Sequence, residues 1–520
     1  MGPKLPGLRR SAINVGATWL LQAGTLLFAL VSVPLVTRRF GLEGLGVWLL
    51  VQQLASHFQL LELGLASSLG RFLSRDHAQR NGAAYSEHST SAIVLLLGMG
   101  LVLVLLAYPI GQVFPQIFSL PPDSASEGAW MLTIALVLTG MTLPLRSAIG
   151  VLASQHQFAL QAGVDGIALL LRVTLVIAAC TMVEDHALIA LSLAVFGPAF
   201  LAGLALFLCA GRSSPYTLFQ SGLIRRAAMR ALLDISLAAM IVTLSAVLLR
   251  QGSAMLVGFF VGADAVALVA LPVMLVVSLG PFLGIANQIM APVASQLDAS
   301  NQVAVLHSIY VNAARYTLMA GLFLFVAVFV LAPVALPAWL GAEALSPDRG
   351  RAMYIALLLI YAGYCAAIPA FLARTILVSV GRHRVAARGE LMGALLGLSI
   401  GCVLMGIDAL GPVGMACGVA ISYLFRACGL LTRELASYFG VSLFALHGEI
   451  WLRPLLCSLP LLGALPLFSI LSPGLVGTVT IALPALVLAA ILAFSFVVSP
   501  AHRARLRGIL KGCFAKGGQS

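Results

Sequence analysis

Polar residues recur at helical spacing inside the first two apolar runs of the chain, residues 13–36 and 45–70. In the first run Asn14, Thr18, Gln22, Thr25 and Ser32 fall within about 80° of one another at about 100° per residue. In the second, Gln52, Ser56, Gln59 and Glu62 follow at spacings of four, three and three. Polar groups at membrane depth need a partner or water, so both stripes are expected to face the protein interior or a cavity and not lipid. A short Gly-rich segment, TRRFGLEGLG (37–46), joins the runs.

Twelve further apolar runs follow, near 90–114, 129–152, 163–182, 187–210, 235–258, 265–292, 317–340, 353–380, 385–408, 412–431, 453–472 and 475–498. A membrane helix needs about 20 apolar residues, whereas a transmembrane barrel strand needs about ten in alternation. The pattern therefore predicts an all-α, polytopic membrane protein with about 14 transmembrane helices. Runs 129–152 and 385–408 are the weakest. Composition agrees: of 520 residues 61% are hydrophobic and 9% charged, with mean hydropathy +1.04.

The net charge of +12 first suggests nucleic acid, but its placement excludes that reading. With the N-terminus inside, 23 of the 30 basic residues fall on the inner side, four outside and three within spans. That bias predicts a multi-pass protein with both termini cytoplasmic. The eight cysteines show no CxxC spacing and lie in apolar spans or the tail, so no disulfide framework or metal site is legible. The first run lacks a clear small-x-small cleavage site and reads as an uncleaved helix.

Residues 211–234 form the longest inner loop, rich in Arg, and read either as an interfacial amphipathic helix or as a plain basic loop. The expected organisation is a six-helix lobe over 1–210, a basic linker over 211–234 and a second lobe over 235–431. Two more helices over 432–498 and a basic tail over 499–520 complete it. At an offset of 221 residues GLEGLG aligns with GADAVA and Gln22 with Thr243, a weak repeat compatible with paired six-helix bundles.

Candidate chemistry sits in the charges within spans. Arg250 costs at least about 2.5–3.5 kcal/mol at membrane depth, and reads as an anion-binding group or as a structural ion pair, with Asp264 a candidate partner. Arg172 shares a face with Asp165 seven residues earlier, so mutual neutralisation competes with a binding role. Arg374 lies near an inner end, where it can snorkel. Glu62 is the leading acid for ion coupling or for interior hydrogen bonding, and His57 reads as a proton relay or a hydrogen-bonded interior histidine. Asn14, Thr18, Gln22, Gln52, Gln59 and Thr243 complete the candidate substrate-binding set. No Walker loop, HExxH or paired-carboxylate motif appears, and the outer loops are too short for a catalytic domain. The chain does not read as an enzyme, and no cofactor is implied.

The pattern N…W…Q…VPLVTRRFGLEGLGVWLLV, followed by LLELGLASSLGRFLSR, resembles the start of bacterial polysaccharide-biosynthesis flippases, which export lipid-linked O-antigen or exopolysaccharide units. These belong to the multidrug/oligosaccharidyl-lipid/polysaccharide exporter superfamily. The close match covers about residues 13–75, with Glu62 standing where many members carry Asp. The resemblance implies two six-helix lobes, alternating access and an undecaprenyl-diphosphate-linked oligosaccharide as substrate, in the bacterial inner membrane and without nucleic acid. Arginines such as Arg250 would then meet the diphosphate, and the polar stripes the sugars. Membrane lipids and other polysaccharide-assembly proteins are the further partners it suggests. A drug/cation antiporter or a lipid II flippase of the same superfamily, a membrane polymerase or glycosyltransferase, and a scaffold are the competing readings.

Overall fold

A computed structural model describes residues 8–59, 62, 65–155, 157–283, 285–341, 345–471, 488, 491–492 and 495–496. Among them the regular structure is all helical. The helices are α1 (Leu8–Gln59), α2 (Leu65–Ala78), α3 (Gly82–Ile117), α4 (Pro122–Leu145), α5 (Ser147–Ser154) and α6 (Phe158–Thr181). They continue as α7 (Ala187–Ser213), α8 (Arg226–Val247), α9 (Ser253–Phe260), α10 (Ala263–Ser278), α11 (Gly280–Leu283) and α12 (Ile285–Ala299). Six more follow: α13 (Val303–Leu340), α14 (Pro347–Ser379), α15 (His383–Met405), α16 (Pro412–Cys428), α17 (Leu430–Phe439) and α18 (Leu443–Leu471). Nine helical segments among the described residues are long and apolar enough to cross a membrane, and Leu244–Phe260 and Ala263–Ser278 are shorter apolar helices. The protein is a multi-pass membrane protein. The expected last span, 475–498, lies largely outside the described residues.

Two of the expected runs share α1. A straight helix of its 52 residues would be about 78 Å long, far beyond the roughly 30 Å hydrocarbon core. Gly41 interrupts it with φ 68° and ψ −173°, a conformation essentially reserved for glycine. The two predicted spans are thus separate helical segments joined at one residue, with no loop between them. Gly262, the residue aligned with Gly41 at the 221-residue offset, also has positive φ, at 123°. It too stands immediately before a helix, α10. Gly46 and Ala263 meet so closely that a Cβ on Gly46 would lie 1.8 Å from the Ala263 carbonyl oxygen.

The chain divides into two compact units, Met1–Ala270 with Trp339–Ser346, and Leu271–Ala338 with Pro347–Ser520. In the first, Leu65, Leu69 and Leu73 of α2 recur every four residues and bury one face against Tyr85 and Leu96 of α3 and Leu152 of α5. The opposite face of α2 exposes Arg71 and Arg75. Asn81 caps α3, its side chain accepting from the Ala84 amide at 3.1 Å. Large apolar side chains such as Leu97, Leu101 and Leu105 on α3 and Ile167 and Leu170 on α6 are exposed, as lipid-facing positions are.

In the second unit, the weak 385–408 run is α15, and its helix forms for a packing reason. Gly389, Gly393, Gly397 and Gly401 repeat every four residues and make a smooth face, the last three against α16 and Gly389 against α17. A Cβ on Gly397 would meet the Gly418 carbonyl oxygen at 2.7 Å, and one on Gly418 would meet the Gly397 oxygen at 2.3 Å. Small residues that let backbones touch are how membrane helices associate without a hydrophobic drive between them.

Candidate functional site

The first unit holds a chain of intramembrane charges. Glu62 lies in the interval between α1 and α2, 9% exposed, and forms an ion pair with Arg146 through Nε and Oε2. Arg146 stands at the break between α4 and α5. Pro144 has no amide hydrogen to continue the α4 ladder, and the Arg146 amide is shared between Thr142 and Leu143 carbonyls at 3.2 and 3.1 Å. The ion pair joins this break to Glu62. Arg146 had been expected only as one of the inner-side charges, and its pairing with Glu62 crosses between distant segments that no local spacing reveals.

Beyond this pair lies a cavity of about 270 Å³ among α1, α4, α6 and α7. Its polar lining is Thr25, Thr139, Thr142, Arg146, Asp165 and Arg172. Asp165 and Arg172 face it together, as their shared helical face predicts. Seven residues place their backbones about 10 Å apart along the axis, so each acts on the other through space without forming a direct pair. The Arg172 guanidinium carbon stands 5.7 Å from the centre of the Phe28 ring, a cation–π placement. Its Nε is buried with no hydrogen-bond partner among the described residues.

Arg250 has a different setting. It lies in a π-helical turn, Leu248–Gly252, between α8 and α9. Such turns leave one backbone group out of register and are frequent at functional sites. The side chain is exposed, and the ion pairs found among the described residues do not include it. It is close enough to His57 for its charge to act on the imidazole. His57 Nδ1 donates to the Gln53 carbonyl at 2.8 Å, which leaves Nε2 as the acceptor in the neutral ring. Gln52 is half-buried one turn earlier, its carbonyl taking the Ser56 hydroxyl at 2.8 Å. Gln22 is exposed on the first segment of α1. The side chains of Asn14, Thr18, Gln59 and Thr243 lie outside the described residues.

In the second unit Arg374 is not a lone charge. It approaches Glu390 of α15 at 3.6 Å, and Arg426 of α16 approaches the other carboxylate oxygen at 3.3 Å. Glu390 is 1% exposed and Arg426 4%, while the Arg374 side chain is 31% exposed. The Arg426 guanidinium also stands 5.5 Å from the Tyr423 ring centre. Sequence reasoning missed Glu390 entirely and counted Arg426 only among the 23 inner-side basic residues. The available signal was the acid itself, set inside the glycine-patterned run 385–408.

The family model described as polysaccharide biosynthesis protein matches residues 11–335. The chain belongs to that family. No curated protein matches it in sequence. Its fold is similar to that of solved membrane transporters. A lipid II flippase, MurJ in an inward closed conformation, gives a TM-score of 0.70 at 12% identity, over 93% of this chain and 98% of that one. An inward-facing multidrug resistance MATE family transporter gives 0.70 at 14% identity, over 81% and 94%. A superfamily transporter from Pyrococcus furiosus, whose binding pocket is described as of reverse polarity, gives 0.57 at 13% identity, over 85% and 96%. At these identities the likeness shows the fold, and the proteins that share it are transporters and a flippase.

Proposed function

We propose that the protein is a flippase that carries undecaprenyl-diphosphate-linked oligosaccharide units from the inner to the outer leaflet of the bacterial cytoplasmic membrane, by alternating access, for O-antigen or exopolysaccharide assembly. Both termini face the cytoplasm, as the distribution of basic residues suggests. The observation that carries the reading is Arg250. An exposed guanidinium in a π-turn of an otherwise apolar stretch, left out of the ion pairs of its unit, suits a diphosphate, which accepts charge-assisted hydrogen bonds. Gln22 and Gln52, with Asn14, Thr18, Gln59 and Thr243, are the groups proposed to meet sugar hydroxyls, while the prenyl chain stays in lipid. Glu62 is the proposed coupling acid. Its protonation would release Arg146, so a proton gradient could act on the pair. His57, within reach of the Arg250 charge, is the second candidate.

The family supports a polysaccharide pathway. The fold likeness to a lipid II flippase also favours a second reading, with another diphosphate-linked glycan as cargo. The experiment is loss of the protein in its own cell, reading surface glycan and inner-leaflet precursor together. The proposal expects less surface glycan and accumulated precursor with viability retained. Normal surface glycan without accumulation overturns it, and lysis on depletion transfers the reading to lipid II.

A further inference from the structure

Three polar atoms of residues lining the first unit's cavity are buried and lack hydrogen-bond partners among the described residues: Thr139 Oγ1, Arg146 Nε and Arg172 Nε. Arg146 Nε is met by the Glu62 carboxylate as an ion pair, which leaves the other two. Groups so placed are costly unless something completes them. Thr25 and Thr142 donate to the Leu21 and Leu138 carbonyls at 2.9 and 2.7 Å, which leaves their oxygens able to accept. With the Asp165 carboxylate, the polar part of the wall, on α1, α4 and α6 and at Arg146, offers both donors and acceptors.

The charges decide what chemistry suits it. Arg146 is met by Glu62, and Arg172 lines the same space as Asp165, two turns along α6. An anion placed there would stand against the Asp165 carboxylate, and an organic cation against two guanidiniums. An uncharged ligand rich in hydroxyls meets neither repulsion, because each hydroxyl both donates and accepts. The remaining wall is apolar and includes Phe196, Leu138 and Leu169, surfaces on which the C–H face of a ring can lie. The volume, about 270 Å³, falls just below the usual ligand-pocket range of about 300–1,000 Å³. A cavity at the small end of that range suits a ligand the size of a single sugar ring.

We infer that this cavity is a subsite for a single uncharged sugar residue of the transported glycan, held by Arg172, Asp165 and Thr139 with Phe196 as its apolar platform. The inference rests on the flippase reading. It makes the first unit a reader of one sugar, separate from the diphosphate contact proposed for Arg250.

The test is saturation-transfer NMR on the full chain in nanodiscs. The probes are N-acetylglucosamine, galactose, glucose, mannose and rhamnose, with inorganic phosphate as anionic probe and tetraphenylphosphonium as cationic probe. At least one sugar should show transfer, weakened roughly two- to tenfold by Thr139→Val and by Asp165→Asn, the size of a lost hydrogen bond. Phe196→Leu supplies a variant that leaves the charges intact and should weaken the same sugar. Variants are compared only where thermal unfolding matches the parent. No transfer from any sugar, transfer unchanged in all three variants, or Arg172-dependent binding of phosphate alone overturns the inference. Leaflet assays on the unaltered protein run alongside. Flipping without sugar binding sinks the subsite and leaves the function, while sugar binding without flipping does the reverse.

Discussion

Glu390 offers a sharp test of how the second unit is held together. Its carboxylate is the shared partner of Arg374 at 3.6 Å and Arg426 at 3.3 Å. Glu390→Gln keeps the shape, so no cavity opens, but it removes the negative charge between two guanidiniums. Arg426, 4% exposed, cannot reach water and becomes an uncompensated buried charge, a loss of about 3–5 kcal/mol. Arg374, about one-third exposed, is screened and adds little. The expected effect is roughly two to three and a half orders of magnitude in the opening equilibrium of this unit. Cys365, buried on α14, reports that opening through maleimide labelling in nanodiscs, and Cys180 in the first unit serves as the control. Variants retaining one of these cysteines at a time keep the signals apart. Replacing the charges together, Glu390→Leu with Arg426→Leu, should restore much of the protection, because a buried ion pair is often no better than well-packed apolar residues. Less than about a tenfold rise in Cys365 labelling for Glu390→Gln, or a double variant more labile than the single, would refute the reasoning.

Three more outcomes follow from the geometry. Gly418→Val should loosen α15 against α16 by about 1–3 kcal/mol, since even its Cβ would lie 2.3 Å from the Gly397 oxygen; the same Cys365 labelling reads it. Gly41→Ala should lower the unfolding temperature of the purified protein through about 1–3 kcal/mol of backbone strain at φ 68°, although open space surrounds the position. Glu62→Gln should cut transport at least roughly tenfold through loss of the charge-assisted pair with Arg146, and Glu62→Asp should recover part of it; equal rates for all three forms would remove Glu62 from the coupling role.

The apolar runs were legible because lipid imposes one rule on every span, and thirteen of the fourteen expected runs fall on described helices. The two weakest, 129–152 and 385–408, are helices as well. Their hydropathy is diluted by small and polar residues that serve helix contacts, as the glycines of α15 show. The joint between the first two spans was legible as the Gly-rich segment 37–46, though one residue of it, Gly41, suffices for the break. What the sequence hid were partnerships between distant helices. Arg146 and Glu62 are 84 positions apart, and Arg426 and Glu390 are 36 apart on separate helices. Asp165 and Arg172 were the exception, since one helix carries both. Arg250 stood out as a costly charge, but the π-turn that sets it at the surface depends on backbone geometry and has no sequence signature.

The central claim is that this chain moves a diphosphate-linked glycan across the bilayer and that Arg250 is part of its path. The most direct measurement is a leaflet-resolved assay in proteoliposomes containing purified protein and undecaprenyl-diphosphate-linked oligosaccharide from the source cell, comparing wild type with Arg250→Ala and Arg250→Lys. The account predicts protein-dependent transfer between leaflets that Arg250→Ala abolishes and Arg250→Lys only partly retains, because a point charge cannot supply the bidentate fork. Transfer at the rate of empty liposomes, or undiminished transfer by Arg250→Ala, would contradict it.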